Sequence, residues 1–152
     1  MNRRSFISSF LKLAISTLTG YLTATSVNAA RSQEHFAGGD FASRFQQLFA
    51  GQTITDTTDI HLELPAIAEN GAVVPLTISS ELEHIDHIFI WVEKNPTPLA
   101  ADIQLSKHTL AYVTARIKMA ESSNVIVIAK QGERLFRVQQ WVDVMLGGCG
   151  TG

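Results

Sequence analysis

Two hydrophobic periods divide the chain. Phe41, Phe45, Leu48 and Phe49 recur at helical spacing, with Asp40 ahead of them as a cap and Gly51 behind as a stop, which predicts a short amphipathic helix. Its aromatic stripe is read as packing, because any docked amphipathic helix shows one. From Thr58 onward the period changes to alternation with many β-branched residues. Seven strands are expected, near 59–64, 73–79, 85–93, 99–106, 112–118, 125–130 and 134–146. The breaks between them carry turn chemistry: Asn70-Gly71 tolerates positive φ, Asn95-Pro96-Thr97-Pro98 cannot continue a ladder, and Ser122-Ser123-Asn124 and Gln131-Gly132 close hairpins. Pro75 places its strand at an edge or a bulge. In the last strand Phe136, Val138, Val142, Val144 and Leu146 share one parity and define a core face. Arg137, Gln139, Trp141, Asp143 and Met145 share the other, which is mixed and leaves Trp141 and Met145 without an obvious core position. Short strands at regular spacing with no helices between them favour an all-β, immunoglobulin-like antiparallel sandwich over a parallel α/β sheet.

Composition supports a globular reading, since 45% apolar and 17% charged residues allow a sizeable core. The length of 152 residues suits one domain. The segment 1–29 has the parts of an export signal: Arg3 and Arg4, then Ser5, Phe6 and Ile7, a mildly apolar stretch diluted by hydroxyl residues, and small residues at Val27-Asn28-Ala29. It resembles a twin-arginine signal. A permanent anchor is disfavoured because a stable span wants about 20 predominantly apolar residues. The expected organisation is a signal at 1–29, a polar lead-in with Gly38-Gly39 and the short helix at 30–57, a sandwich at 58–146 and a terminal arm at 147–152. The expected destination is the periplasm, with no membrane anchor. Loss of the signal removes Arg3, Arg4 and Lys12 but no acidic residue, taking the formal charge from −2 to −5. A chain with that balance and no basic stripe is a poor partner for nucleic acid or anionic lipid.

The one cysteine changes the picture most. Exported proteins normally hold cysteines in pairs, and an odd one signals intermolecular bonding or a reactive thiol. Cys149 lies among Gly147, Gly148, Gly150 and Gly152, so close to the end of the sequence that burial as an inert thiol is improbable. Glycines give the backbone freedom and little bulk, so such an arm can extend the thiol on the order of 15 Å from the sandwich, at about 3.3 Å per residue. Nothing local activates the thiol: Asp143 and the terminal carboxylate are negative, and no cation or second thiol stands nearby in sequence. The arm reads as a carrier whose chemistry is completed in the active sites of its partners.

Three upstream stretches join the arm in a recognisable order. They are Ile67-Ala68-Glu69-Asn70-Gly71-Ala72-Val73-Val74-Pro75, Val92-Glu93-Lys94-Asn95-Pro96-Thr97-Pro98-Leu99, and Arg116-Ile117-Lys118-Met119-Ala120-Glu121-Ser122-Ser123-Asn124-Val125. With Gly-Gly-Cys-Gly at the terminus and the twin-arginine pair at the start, they resemble the SoxY family of the periplasmic sulfur-oxidising (Sox) system. The resemblance implies an immunoglobulin-like sandwich paired with a second sandwich protein, SoxZ, and the place of Trp141 and Met145 on the mixed face of the last strand leads us to expect their burial between the subunits. It implies that thiosulfate or another reduced sulfur species is joined oxidatively to Cys149, and that Sox enzymes docking transiently on the arm hydrolyse and oxidise it to sulfate. The carrier itself is then not an enzyme and needs no cofactor. One departure is Thr151 before Gly152, where the family pattern has Gly-Gly-Cys-Gly-Gly.

Other constellations rank lower. His84 and His87 have an odd spacing that puts them on opposite faces of a strand, so a metal pair is not expected. His61 sits on a polar face, and His35 and His108 lack nearby ligand spacing; all three read as surface residues. Arg116 and Lys118 share the outward parity of their strand, as solvated charges or as part of a docking surface. Two further functions remain open on the residues alone. A thiol-dependent sulfurtransferase would show turnover as a purified protein, although no resolving cysteine accompanies Cys149. An immunoglobulin-like assembly module would show a permanent disulfide from Cys149 to one partner.

Overall fold

The computed structural model describes residues 35–145. The signal-like segment, Leu146 and the whole arm with Cys149 lie outside the described residues. Asp40 caps helix α1 (Phe41–Phe49) as expected, its carboxylate accepting from the Ser43 amide at 3.0 Å. Gly51, at φ 72°, provides the stop. The lead-in is anchored rather than loose: the Gly39 amide donates to the Pro96 carbonyl at 3.1 Å, and Arg44 Nη2 donates to the Gly38 carbonyl at 2.7 Å.

Nine strands follow: β1 (Ile54–Asp56), β2 (Ile60–Glu63), β3 (Ile67–Ala68), β4 (Val74–Ser80), β5 (His87–Val92), β6 (Leu99–Gln104), β7 (Tyr112–Ile117), β8 (Ser123–Gln131) and β9 (Arg134–Val144). The seven expected strands are all present, and β1 and β3 are additional. One sheet runs β1-β9-β8-β5-β6 with β3 also on β9, and the other runs β2-β4-β7. The pairs β1–β9 and β3–β9 are parallel, whereas the other ladders are antiparallel. Because β8 occupies one side of β9, β1 and β3 share the other, β1 against Leu135–Arg137 and β3 against Asp143–Val144. Two short pieces thus cover an edge that would otherwise present a long row of free backbone groups. Pro75 lies in the middle strand of its sheet, but β2 pairs only with Thr77–Ser80, so the proline falls where β4 has a neighbour on one side alone.

The main core lies between the sheets, with Val74, Leu76 and Ile78 facing Ile88, Ile90, Val125, Val127 and Val142. A second core lies on the outer face of the larger sheet. There Phe49, Phe89, Trp91, Leu99, Ile126, Ile128 and Leu135 are buried beneath Phe36, Phe41, Phe45 and Leu48. Phe45 meets Trp91 edge-on with ring centres 5.4 Å apart, and Phe49 meets Phe89 at 5.3 Å. The helix therefore covers the face that an ordinary sandwich leaves to solvent. This is why β5 and β8 are buried on both faces and read as continuous apolar runs. It also moves the start of the core back to Phe36, ahead of the point where the sequence pattern places it.

Candidate functional site

The described chain ends at Met145, four positions before Cys149, so the site that can be built from the residues is the root of the cysteine arm. Strand β9 carries the chain there between two supports. On the β3 side the Asp143 amide donates to the Ala66 carbonyl at 2.9 Å and the Met145 amide to the Ala68 carbonyl at 3.0 Å. On the other side the Val144 amide donates to Ser122 Oγ at 2.8 Å.

The three stretches singled out in the sequence converge here. Asn95 reaches across to the third stretch, its Nδ2 donating to the Lys118 carbonyl at 2.7 Å and its Oδ1 accepting from the Ala120 amide at 2.8 Å. Asn124 Nδ2 donates to Glu93 Oε2 at 2.9 Å, and Lys94 lies 3.8 Å from Glu121. The Met119 amide donates to the Gly71 carbonyl at 2.7 Å. Gly71 does not adopt positive φ. Its side is instead closed by the Met119 carbonyl and by Val144 Cγ1, which would stand 2.7 Å from an added Cβ. Close approach, not turn conformation, demands glycine at this position. The Asn70 side chain completes a local turn by accepting from the Ala72 amide at 2.9 Å.

Two depressions flank this junction. A larger one of about 750 Å³ is walled by Phe36, Pro96, Leu99, Ile117 and Met119, with exposed Arg116 and Lys118 on its lining. A second, of about 480 Å³, is bounded by Glu69, Gly71, Ala120, Val144 and Met145. The outward parity of Arg116 and Lys118 is as the alternation requires. Trp141 and Met145 are 47% and 58% exposed, and Ile67, paired beside Asp143, is 58% exposed. Lys94 lies over the Trp141 ring at 5.7 Å, and the indole donates to Asp143 at 2.9 Å. The arm root therefore presents a partly apolar outward face.

The histidines are placed differently from the sequence reading. His84 stands in the loop before β5 at φ 55°, so it does not share a strand with His87. His35 is not a free surface residue: its Nδ1 lies 3.1 Å from Asp102 Oδ2, while His87 Nδ1 lies 3.3 Å from Asp102 Oδ1. His61 and His108 are exposed, as expected. Among the described residues, no group of three or more His, Cys, Asp or Glu side chains is arranged to hold a metal, and no helix is long and apolar enough to cross a membrane. The perturbed ionisable pair lies on the β1 edge. Arg137 grips Asp56 with two hydrogen bonds of 2.6 and 3.0 Å, which hold that carboxyl below its ordinary range.

Asn95, Ser122 and Asp102 gave no chemical signal in the sequence beyond turn or strand residues. Only the first two could have been suspected, since both fall within the stretches that resembled a family.

The class that the fold defines is a sheet-rich, helix-covered two-sheet domain, and the one cysteine of the sequence follows its last strand. Its fold matches the structure of the sulfur carrier protein SoxY from Chlorobium limicola f thiosulfatophilum, with a TM-score of 0.62 and 28% identity over 69% of this chain and 96% of that one. The chain belongs to the SoxY family: the model of sulfur oxidation protein SoxY matches residues 45–149. Comparison with curated proteins finds no match. Family and fold together support a sulfur-carrier role in sulfur oxidation.

Proposed function

We propose that this protein holds reduced sulfur covalently on Cys149 and presents it to Sox enzymes in the periplasm, as one half of a heterodimer with a SoxZ-like sandwich. The observation that carries this reading is the span of the family match, which runs to residue 149 and so ends on the sole cysteine. A thiolate and thiosulfate joined through a new sulfur–sulfur bond give up two electrons, which pass to an oxidising partner enzyme. Hydrolysis at the terminal sulfonate then releases sulfate and leaves sulfur on the cysteine for further oxidation. The domain's part is to carry and to aim, and the chemistry occurs in its partners.

The exposed face of Ile67, Trp141 and Met145 supports a subunit partner, because aromatic residues and Met are enriched in interface cores. Co-expression with the SoxZ-like subunit is expected to give a one-to-one complex by size exclusion and mass. A strictly monomeric protein in the presence of that subunit would contradict the pairing. Purified protein alone is expected to show no turnover of thiosulfate.

A further inference from the structure

Trp91 is 1% exposed, and its indole Nε1–H finds no acceptor among the described residues. A buried donor without a partner is rare in folded proteins and calls for an explanation. Phe41, Phe45 and Phe49 pack on the indole with ring centres 5.8, 5.4 and 6.2 Å away, but none carries an oxygen or a nitrogen on its side chain. Trp91 also lines a pocket of about 150 Å³ between helix α1 and the larger sheet, together with His35, Arg44, Gln47 and Leu48.

The polar groups of that lining are mainly donors. Arg44 and Gln47 are three positions apart and so share a face of α1. The guanidinium is held in place: Nε and Nη2 donate to the Gly38 carbonyl at 3.1 and 2.7 Å, and Nη1 donates to Gln47 Oε1 at 3.2 Å. Gly39 lies against it, since a Cβ there would stand 3.2 Å from Arg44 Nε. Three of the five guanidinium N–H groups are thereby used, and one remains on each terminal nitrogen. Because Gln47 Oε1 faces the guanidinium, the amide N–H groups of Gln47 are left over. Among the described residues Arg44 has no carboxylate partner, and none of those lining the pocket is acidic. The nearest carboxylate behind the lining, Asp102, is engaged by His35 Nδ1 at 3.1 Å.

Size and chemistry select the occupant. The volume exceeds the roughly 10–15 Å³ that one water needs and falls short of the roughly 300 Å³ at which pockets for organic ligands begin. Water brings two hydrogens into a lining with little left to accept them, whereas an oxyanion only accepts. The two remaining guanidinium donors suit a pair of oxygens, and Trp91, on strand β5, supplies a donor for a third. Hydrogenphosphate carries an O–H that would need an acceptor; sulfate and thiosulfate carry none.

We propose that this pocket is a noncovalent site for a small tetrahedral sulfur oxyanion, sulfate or thiosulfate, with Arg44 supplying the charge, Gln47 a neutral amide and Trp91 the buried donor. The inference does not rest on Cys149, because the ion is held by hydrogen bonds alone. Binding ties Arg44, and through it Gly38, to the sheet, so the ion stabilises the docked helix.

The test is nitrogen-15 NMR of the full chain. The chain has two tryptophans, so Trp141→Phe leaves one indole resonance and assigns it to Trp91. At matched ionic strength, sulfate and thiosulfate are expected to shift the Trp91 indole N–H saturably and to slow its exchange with water, whereas chloride leaves it in place. In the wild-type chain the Trp141 indole, already paired with Asp143, should not respond. Saturable binding of either ion supports the site, and the ratio of the two Kd values identifies which ion it fits. Arg44→Gln should raise Kd at least tenfold, as expected for a charged hydrogen bond. Gln47→Ala, at an exposed helix position where alanine is well tolerated, should raise it about fivefold and keeps the test open if Arg44→Gln fails to fold. A Trp91 resonance that follows chloride as it follows sulfate and thiosulfate, or a Kd unchanged in Gln47→Ala and Arg44→Gln, would overturn the proposal. Hydrogenphosphate binding as tightly as sulfate and thiosulfate would overturn it as well.

Discussion

Replacing Gly71 by Ala tests how tightly the segments at the arm root are pressed together. An added Cβ would overlap the Met119 carbonyl and stand 2.7 Å from Val144 Cγ1. The carbonyl is main chain and cannot rotate aside, so Gly71 and Met119 must separate. That movement strains or breaks the 2.7 Å bond from the Met119 amide to the Gly71 carbonyl. Overpacking of this kind costs about 1–3 kcal/mol, and the hydrogen bond adds about 1 kcal/mol. The sum of about 2–4 kcal/mol corresponds to a fall in Tm of about 8–16 °C for a domain near this size, at about 4 °C per kcal/mol. Thermal unfolding followed by circular dichroism measures it. Gly132 supplies the control, because at φ 58° its added Cβ meets nothing within 4 Å. Gly132→Asn should be nearly neutral, since Asn tolerates the left-handed region. Gly71→Asn should be at least as harmful as Gly71→Ala, since the obstacle there is space. A Gly71→Ala protein within about 1 kcal/mol of wild type would refute the close-approach argument.

The remaining predictions concern the edge, the wall and the signal. Asp56 has its carboxyl lowered by hydrogen bonding to Arg137, so the pair's contribution is present above the ordinary carboxylate value of 3.8 and is lost as pH falls through the lowered one. Arg137→Gln should remove that part of the acid dependence of the urea midpoint, and an identical acid profile would contradict it. Asn95→Ala deletes the bonds to Lys118 and Ala120 and should cost about 1–2 kcal/mol by urea unfolding, with faster amide exchange at Ala120. Arg3→Lys together with Arg4→Lys should leave unprocessed precursor in the cytoplasm, visible on fractionation, because the twin-arginine pair is read by a receptor and charge alone does not replace it. Normal processing of that variant would exclude the route.

Most of the architecture was legible in the chain because alternation and turn chemistry are local. The helix with its Asp40 cap, the hairpin at Gly132 and the seven longer strands all follow from residues within a few positions of one another. Strands β1 and β3 were not legible. They are three and two residues long, and their existence depends on a parallel partner about 80 positions away. Pairing over such a separation leaves no period to detect. The lead-in misled for the same reason, since His35 and Phe36 gain their places from Asp102 and the Trp91 face. Gly71 was noticed but for the wrong cause, because a glycine needed for space looks in sequence like one needed for a turn. At the site, the three stretches were legible through family resemblance alone. Their meeting around Asn95 and Gly71, and the hold of Ser122 on Val144, belong to tertiary structure.

Covalent carriage on Cys149 is tested most directly by intact-mass spectra of the protein recovered from cells oxidising thiosulfate. The wild-type chain should carry sulfur adducts that disappear on reduction, and tandem fragmentation should place them at residue 149. Cys149→Ser should show no adduct, because a hydroxyl cannot enter a sulfur–sulfur bond, and circular dichroism of the same variant checks that it folds as wild type. Reducible sulfur adducts on the serine variant, or a wild-type chain that stays unmodified while thiosulfate is oxidised, would contradict it.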